Sequence, residues 1–79
     1  MNQIVRIYGV GDTQERALVS ALNRAAQELN VEIDVEVVTA LAEFLRVKIE
    51  AIPALMIQDK IVVYGRVPEV DELKHLLAA

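Results

Sequence analysis

The sequence of 79 residues contains no cysteine and no tryptophan, and its only aromatic residues are two tyrosines and one phenylalanine. Without cysteine the chain forms no disulfide, no thiolate metal site and no thiol nucleophile. With so few rings it lacks the stacking platforms on which single-stranded nucleic acids bind. These absences exclude several common classes of function before any motif is considered.

Basic charge is also scarce. The chain carries 8 basic and 12 acidic residues, for a formal net charge of -4. This balance disfavours nucleic acid and anionic membrane surfaces as partners. Residues 1–4 show no charged-then-apolar signal pattern, and no apolar run approaches the length of a membrane span. We therefore expect a cytoplasmic protein that binds neither nucleic acid nor membrane.

Hydrophobic residues make up 54% of the chain, which suits a compact core in one domain over residues 1–79. Their periodicity predicts the element order βαβαββα. The strands are predicted at 4–8, 32–37, 54–57 and 61–64; the helices are predicted at 12–30, from Thr39 to before Ile52, and from Pro68 onward. Strict alternation of acids and aliphatics in 32–37 predicts an edge strand, whereas the mostly apolar 4–8 is predicted to be central. The apolar positions of the second helix are Leu41, Phe44, Leu45 and Ile49.

Two acidic residues, Asp12 and Glu15, stand where the first strand gives way to the first helix. Their spacing is that of a capping box, and negative charge is favourable at a helix N-terminus. Without a nearby histidine, two carboxylates hold at best a weakly bound oxygen-preferring ion. The adjacent Gly9-Val10-Gly11 lacks the third glycine of a dinucleotide-binding motif, because position 14 is glutamine. We therefore predict neither a metal nor a cofactor.

Three short segments carry a resemblance to a known family. They are Ile7-Tyr8-Gly9-Val10-Gly11 at the end of the first strand, Ala51-Ile52-Pro53-Ala54-Leu55 before the third, and Val63-Tyr64-Gly65-Arg66-Val67 after the fourth. With them the chain resembles the thioredoxin-like fold and, more specifically, the small archaeal and bacterial thioredoxin-like proteins known as redox-active disulfide proteins. The resemblance covers Ile4 to Leu77. It implies a three-layer α/β/α sandwich with a four-stranded mixed sheet, a cis Pro53, and an Ile52 backbone offered to an extended peptide.

The active motif of that family is missing. Relatives carry Cys-x-x-Cys where this chain has Asp12-Thr13-Gln14-Glu15. Thiol–disulfide exchange needs a thiolate nucleophile and a sulfur leaving group, so the family's redox activity is not carried over. We predict a redox-inactive module that binds a protein or peptide partner through Val10, Asp12, Ile52, Pro53, Arg66 and Val67. Two alternatives stay open: a cysteine-free enzyme with Asp12 or Glu15 in acid–base chemistry, and a structural homodimer formed through the edge strand or the hairpin.

Overall fold

A computed structural model describes residues 3–78. The elements, in chain order, are β1 Gln3–Tyr8, α1 Thr13–Leu29, β2 Ile33–Val38, α2 Leu41–Arg46, β3 Ala54–Ile57, β4 Lys60–Tyr64 and α3 Val70–Ala78. The sheet order is β2-β1-β3-β4. Strands β1 and β2 run parallel, whereas the pairs β1–β3 and β3–β4 are antiparallel. The predicted mixed sheet is confirmed, with β1 central and β2 at an edge.

Alternation along β1 sends its side chains into two separate layers. Val5 and Ile7 are fully buried in the larger core, which α1 and α3 cover. Tyr8 points to the other face, where the ring of Phe44 from α2 packs edge-on against it at a centroid distance of 5.8 Å. Helices therefore cover both faces of the sheet, and the three-layer architecture is confirmed. Within residues 3–78, no helix combines the length and apolar character needed to cross a membrane.

Helix α1 begins and ends at the residues that its sequence indicates. Asp12 is the N-cap and has an extended backbone, whereas Asn30 closes the helix in the left-handed conformation at φ 57° and ψ 43°. Asparagine tolerates that conformation better than most residues, which makes it a good helix terminator. The apolar stripe faces the larger core through Leu18, Leu22, Ala25 and Ala26.

The start of α2 differs from the prediction. Thr39 does not cap this helix, because its N-cap is Ala40, which has no side-chain hydrogen bond to the first turn. The helix also ends early, at Arg46, so Ile49 lies beyond it and reaches the smaller core from the following loop.

The apolar face assigned to α2 is only partly buried. Phe44 is half-buried against Tyr8, but Leu41 and Leu45 are each 70% exposed. A helix of six residues makes fewer than two turns, so only one side of it contacts the sheet. The periodicity is helical, yet it does not identify which apolar residues enter the core.

The β3–β4 hairpin closes through two residues. Gln58 and Asp59 both have positive φ, at 53° and 64°, as a two-residue type I′ turn requires. The turn is therefore shorter than predicted, and β4 begins at Lys60 rather than Ile61.

Candidate functional site

Three loops meet at one end of the sheet. Tyr8 pairs with Ala54, and Ala54 pairs with Tyr64, so the chain crosses this end after β1, before β3 and after β4. The N–H of Gly65 donates a hydrogen bond of 2.9 Å to the carbonyl of Pro53. We call residues 9–12, 51–53 and 65–67 the loop end. All six predicted contact residues belong to it.

The six residues differ in how much surface they offer. Val10, Asp12 and Arg66 are exposed, Ile52 and Val67 are half-buried, and Pro53 is buried. Val67 packs against the larger core, and the carbonyl of Pro53 accepts the hydrogen bond from the N–H of Gly65. These two residues mainly support the loops, whereas the exposed side chains form the outer surface.

Ile52 has the backbone geometry of a possible docking point. The Ile52–Pro53 peptide bond is cis. Ile52 lies just outside β3, and within residues 3–78 its N–H and carbonyl make no backbone hydrogen bond with a turn, loop or cap. An extended segment lying beside it has a donor and an acceptor with which to pair.

The start of α1 is closed by its own carboxylates. The N–H of Glu15 donates to Oδ1 of Asp12 at 2.9 Å, and the N–H of Gly11 donates to Oε1 of Glu15 at 3.1 Å. Glu15 is only 8% exposed, and every buried side-chain nitrogen and oxygen in residues 3–78 has a partner. This is the predicted capping arrangement with one change, because Glu15 accepts from the residue before the N-cap rather than from the N-cap itself.

Gly9 has a role at this site that its sequence context did not reveal. A Cβ at position 9 would meet the Glu15 side chain, 3.2 Å from Cδ, 3.3 Å from Cγ and closer still to Oε1. The lack of a side chain on Gly9 therefore makes room for the buried carboxylate. The only local signal was a glycine three residues before a predicted N-cap, which is too common to predict such a contact.

Arg66 is held by an acidic residue of α3. Its Nη1 and Nη2 donate to the two carboxylate oxygens of Glu72 at 2.9 and 2.7 Å. This hydrogen bonding, together with the opposite charge, lowers the pKa of Glu72 and raises the pKa of Arg66. Because this bidentate pair already uses two of the five N–H donors of the guanidinium and offsets its charge, Arg66 is less available to an acidic group of a partner.

We expect the Arg66→Gln variant to raise the pKa of Glu72 toward its ordinary value of 4.5. The folded-state pKa is depressed, so the stability from this pair is present above the unfolded pKa and is lost as pH falls through the folded pKa. A carboxyl NMR titration from about pH 2 to about pH 7 measures the Glu72 midpoint in the variant and in the parent protein. Equal Glu72 midpoints in the variant and the parent protein would show that the pair does not persist in solution.

Neither Asp12 nor Glu15 lines any of four well-formed clefts in the described part of the chain, which have volumes of about 200, 460, 480 and 550 Å³. The 550 Å³ cleft opens at the opposite end of the sheet, beside Gln3 and Asp59. In the described part of the chain, no group of three histidine, aspartate or glutamate residues is placed to hold a metal ion. Chemically, the loop end therefore offers apolar surface, the backbone N–H and carbonyl of Ile52, and carboxylates bound to the helix start.

A mixed sheet covered on both faces, with a cis-proline loop at the same end as the start of the first helix, defines a thioredoxin-like protein. The sequence model of the thioredoxin domain matches residues 4–78, and the chain belongs to that family. It is also similar to a thioredoxin of Methanothermobacter thermautotrophicus, with 26% identity over 74 residues that cover 94% of this chain and 96% of that protein. The family resemblance inferred from the three short segments is confirmed.

Proposed function

We propose that this protein is a redox-inactive thioredoxin-like module that binds an extended segment of a partner protein at its loop end. The observation that carries the proposal is the combination of Ile52, whose backbone is unpaired, with a helix start that has carboxylates in place of sulfur. The first feature supports binding, and the second removes the nucleophile.

The loss of sulfur leaves the start of α1 intact. Asp12 is exposed at the N-cap, and Glu15 is buried three residues later. Asp12 accepts a backbone N–H that the first turn of the helix leaves without a partner, and Glu15 accepts the N–H of Gly11 just before the N-cap. The shape of the loop end therefore does not depend on a disulfide. Such a surface is expected to bind without carrying out exchange.

Binding in this proposal uses main-chain pairing supplemented by side-chain contact. Pairing at Ile52 supplies affinity that is largely independent of sequence, and neighbouring side chains supply specificity. Val10 is 62% exposed and lies on the adjoining loop. In this proposal Val10 supplies the apolar side-chain contact beside the pairing at Ile52.

The test is to map a partner that co-purifies with the native protein by amide chemical-shift changes. We expect the changes to fall in residues 9–12, 51–53 and 65–67. The Val10→Glu variant is expected to weaken binding about ten-fold, because it places a charge in an apolar contact. Val31→Glu is the matched control, since Val31 is 43% exposed beyond the far end of α1. Shift changes confined to other surfaces, or equal losses in both variants, would contradict the proposal.

A further inference from the structure

The sheet has two open edges, and they differ in regularity. In the order β2-β1-β3-β4, each outer strand has a neighbour on one side only within residues 3–78. The pairing of β4 with β3 is interrupted by a register shift between Leu55 and Met56, and an irregularity of this kind hinders the addition of another strand. Strand β2 has an unbroken register over six residues and contains neither proline nor glycine. Its outer side therefore keeps the regular geometry that strand addition needs.

Hydrogen bonds at both ends of β2 show which of its backbone groups point outward. The carbonyl of Glu32 accepts the N–H of Gln3, and the carbonyl of Val38 accepts the N–H of Gly9, each at 3.2 Å. Backbone groups of successive residues in a strand point to opposite edges, so the even-numbered residues of this segment bond to β1. The N–H and carbonyl groups of the odd-numbered residues point away from the sheet; these residues are Ile33, Val35 and Val37. We call this outward row, with the side chains of residues 32–37, the β2 edge.

The two faces of the β2 edge have different chemical character. On the α1 face, Ile33 and Val35 are half-buried against the larger core, and Val37 is 46% exposed. The alternation of side chains places three carboxylates on the other face, those of Glu32, Asp34 and Glu36. A strand that pairs at this edge therefore meets aliphatic side chains on one face and acidic side chains on the other.

The acidic face keeps an excess of negative charge. Glu36 accepts a hydrogen bond of 2.9 Å from Nε of Arg6, but Nη1 of the same guanidinium lies 3.5 Å from the carboxylate of Asp59. Glu32 is exposed and forms no ion pair with any residue in 3–78. One cation therefore serves two carboxylates, and a third has none. This excess does not depend on Asp34, which has an interaction of its own.

The other basic residues do not offset this charge. Arg46 lines the same cleft as Glu36, but it is bonded twice to Glu43 of its own helix. Lys48 lines a cleft with residues of β4, and Lys60 begins β4, so both lie toward the opposite edge of the sheet. The remaining four bond to groups on α1, on α3 or at the loop end; they are Arg16, Arg24, Arg66 and Lys74.

This combination selects one kind of occupant. A second copy would place acid opposite acid, and like charges directly opposite each other destabilise a strand pair. A strand in which basic and β-branched apolar residues alternate matches both faces, because its cations lie opposite the acids while its aliphatic side chains cover the exposed part of Val37. We propose that the β2 edge binds such a segment of another protein. The site contains no residue of the loop end and does not rest on the proposed function.

Three end-blocked peptides of about eight residues serve as probes. The first alternates valine with lysine, and the second alternates valine with glutamate. The third has the composition of the first, but its valines and lysines stand in two separate blocks. We expect the first peptide to shift the amide signals of residues 32–37 and to bind at least about ten-fold more tightly than the other two. Equal binding of the first and third peptides, or no binding of the first at about 2 mM, would overturn the proposal.

Amide exchange with solvent tests the strand pairing itself. At a free concentration of the first peptide of about four times Kd, exchange at Ile33, Val35 and Val37 should slow about five-fold. Exchange at Asp34 and Glu36 should not change, because their N–H groups already point to β1. Protection that does not alternate in this way would contradict the proposal. Shift changes confined to residues 9–12, 51–53 and 65–67 would also contradict it, and they would support the proposed function instead.

A proline at position 37 blocks the edge without removing a bond to β1, because the N–H that it lacks points outward. The Val37→Pro variant is expected to bind the first peptide at least about ten-fold more weakly. Val37→Thr is its matched control, since threonine keeps the N–H and the branched shape, and it should bind within about two-fold of the parent protein. Circular dichroism checks that both variants keep the parent fold. Equal binding by the two folded variants would overturn the proposal.

Charge variants test the acidic face independently of the backbone. The double variant Glu32→Gln, Glu36→Gln is expected to reduce the preference for the lysine peptide over the glutamate peptide at least about five-fold. The matched control is Glu50→Gln, Glu69→Gln, which changes the net charge equally at two exposed residues away from β2. The control should keep the preference within about two-fold. An equal loss in both double variants would show attraction by the net charge alone and would overturn the proposal.

Discussion

Replacing Asp12 and Glu15 together by cysteine is expected to create thiol–disulfide exchange activity. Position 12 is exposed at the N-cap and position 15 is buried one turn later. A thiol at the exposed position has its pKa lowered by the helix N-terminus and supplies the attacking thiolate. The second thiol then displaces the substrate thiol from the mixed disulfide, and dithiothreitol reduces the resulting disulfide. We expect the double variant to reduce insulin at least about ten-fold faster than dithiothreitol alone.

Three controls define what that result means. The double variant Asp12→Ser, Glu15→Ser should give only the background rate, as should each single cysteine variant, since neither contains a dithiol. The parent protein should also give the background rate, because it contains no cysteine; genuine turnover by it would contradict the proposed redox inactivity. A folded double cysteine variant with two titratable thiols and no turnover would show that this helix start is not oriented for exchange.

Most of the fold follows from local patterns in the sequence. The alternation of acids and aliphatics in β2 identified an edge strand, and the spacing of Asp12 and Glu15 identified the start of α1. Each of these signals lies within a few residues, and the same few residues form the contacts that produce the structure. Asn30 belongs to the same class, because its left-handed conformation depends on its own side chain and its immediate neighbours.

Features that depend on contacts across the chain were not predictable in this way. Leu41 and Leu45 have helical spacing, but whether a short helix turns them toward the sheet depends on the loops that place it. Glu72 lies outside all three segments that carry the resemblance, and its contact with Arg66 needs the fold of the turn before α3. Gly9 is required by a side chain that folds back on it from the next helix. The resemblance therefore placed the six predicted contact residues at one end of the sheet, but it did not predict the contacts that they make there.

Placing alanine at Gly9 is expected to destabilise the protein by about 2–3 kcal/mol. The added Cβ would collide with the carboxylate of Glu15. Moving that carboxylate breaks its hydrogen bond from Gly11 and disturbs a side chain that is only 8% exposed. Overpacking typically costs about 1–3 kcal/mol, and a lost bond to a buried charged group adds about 1–3 kcal/mol before relaxation. In a domain of this size the midpoint of thermal unfolding should fall by about 10–20 °C.

The Glu15→Ala background isolates the cause of that loss. Glu15→Ala alone should cost about 1–2 kcal/mol, since the Gly11 N–H loses its acceptor. With the carboxylate gone, Gly9→Ala should be neutral or slightly stabilising, because alanine restricts the unfolded chain more than glycine does. Denaturant unfolding of the four proteins therefore gives a coupling energy of about 2 kcal/mol between positions 9 and 15. Equal costs of Gly9→Ala in the two backgrounds would mean that the backbone at Gly9, and not the buried carboxylate, requires glycine.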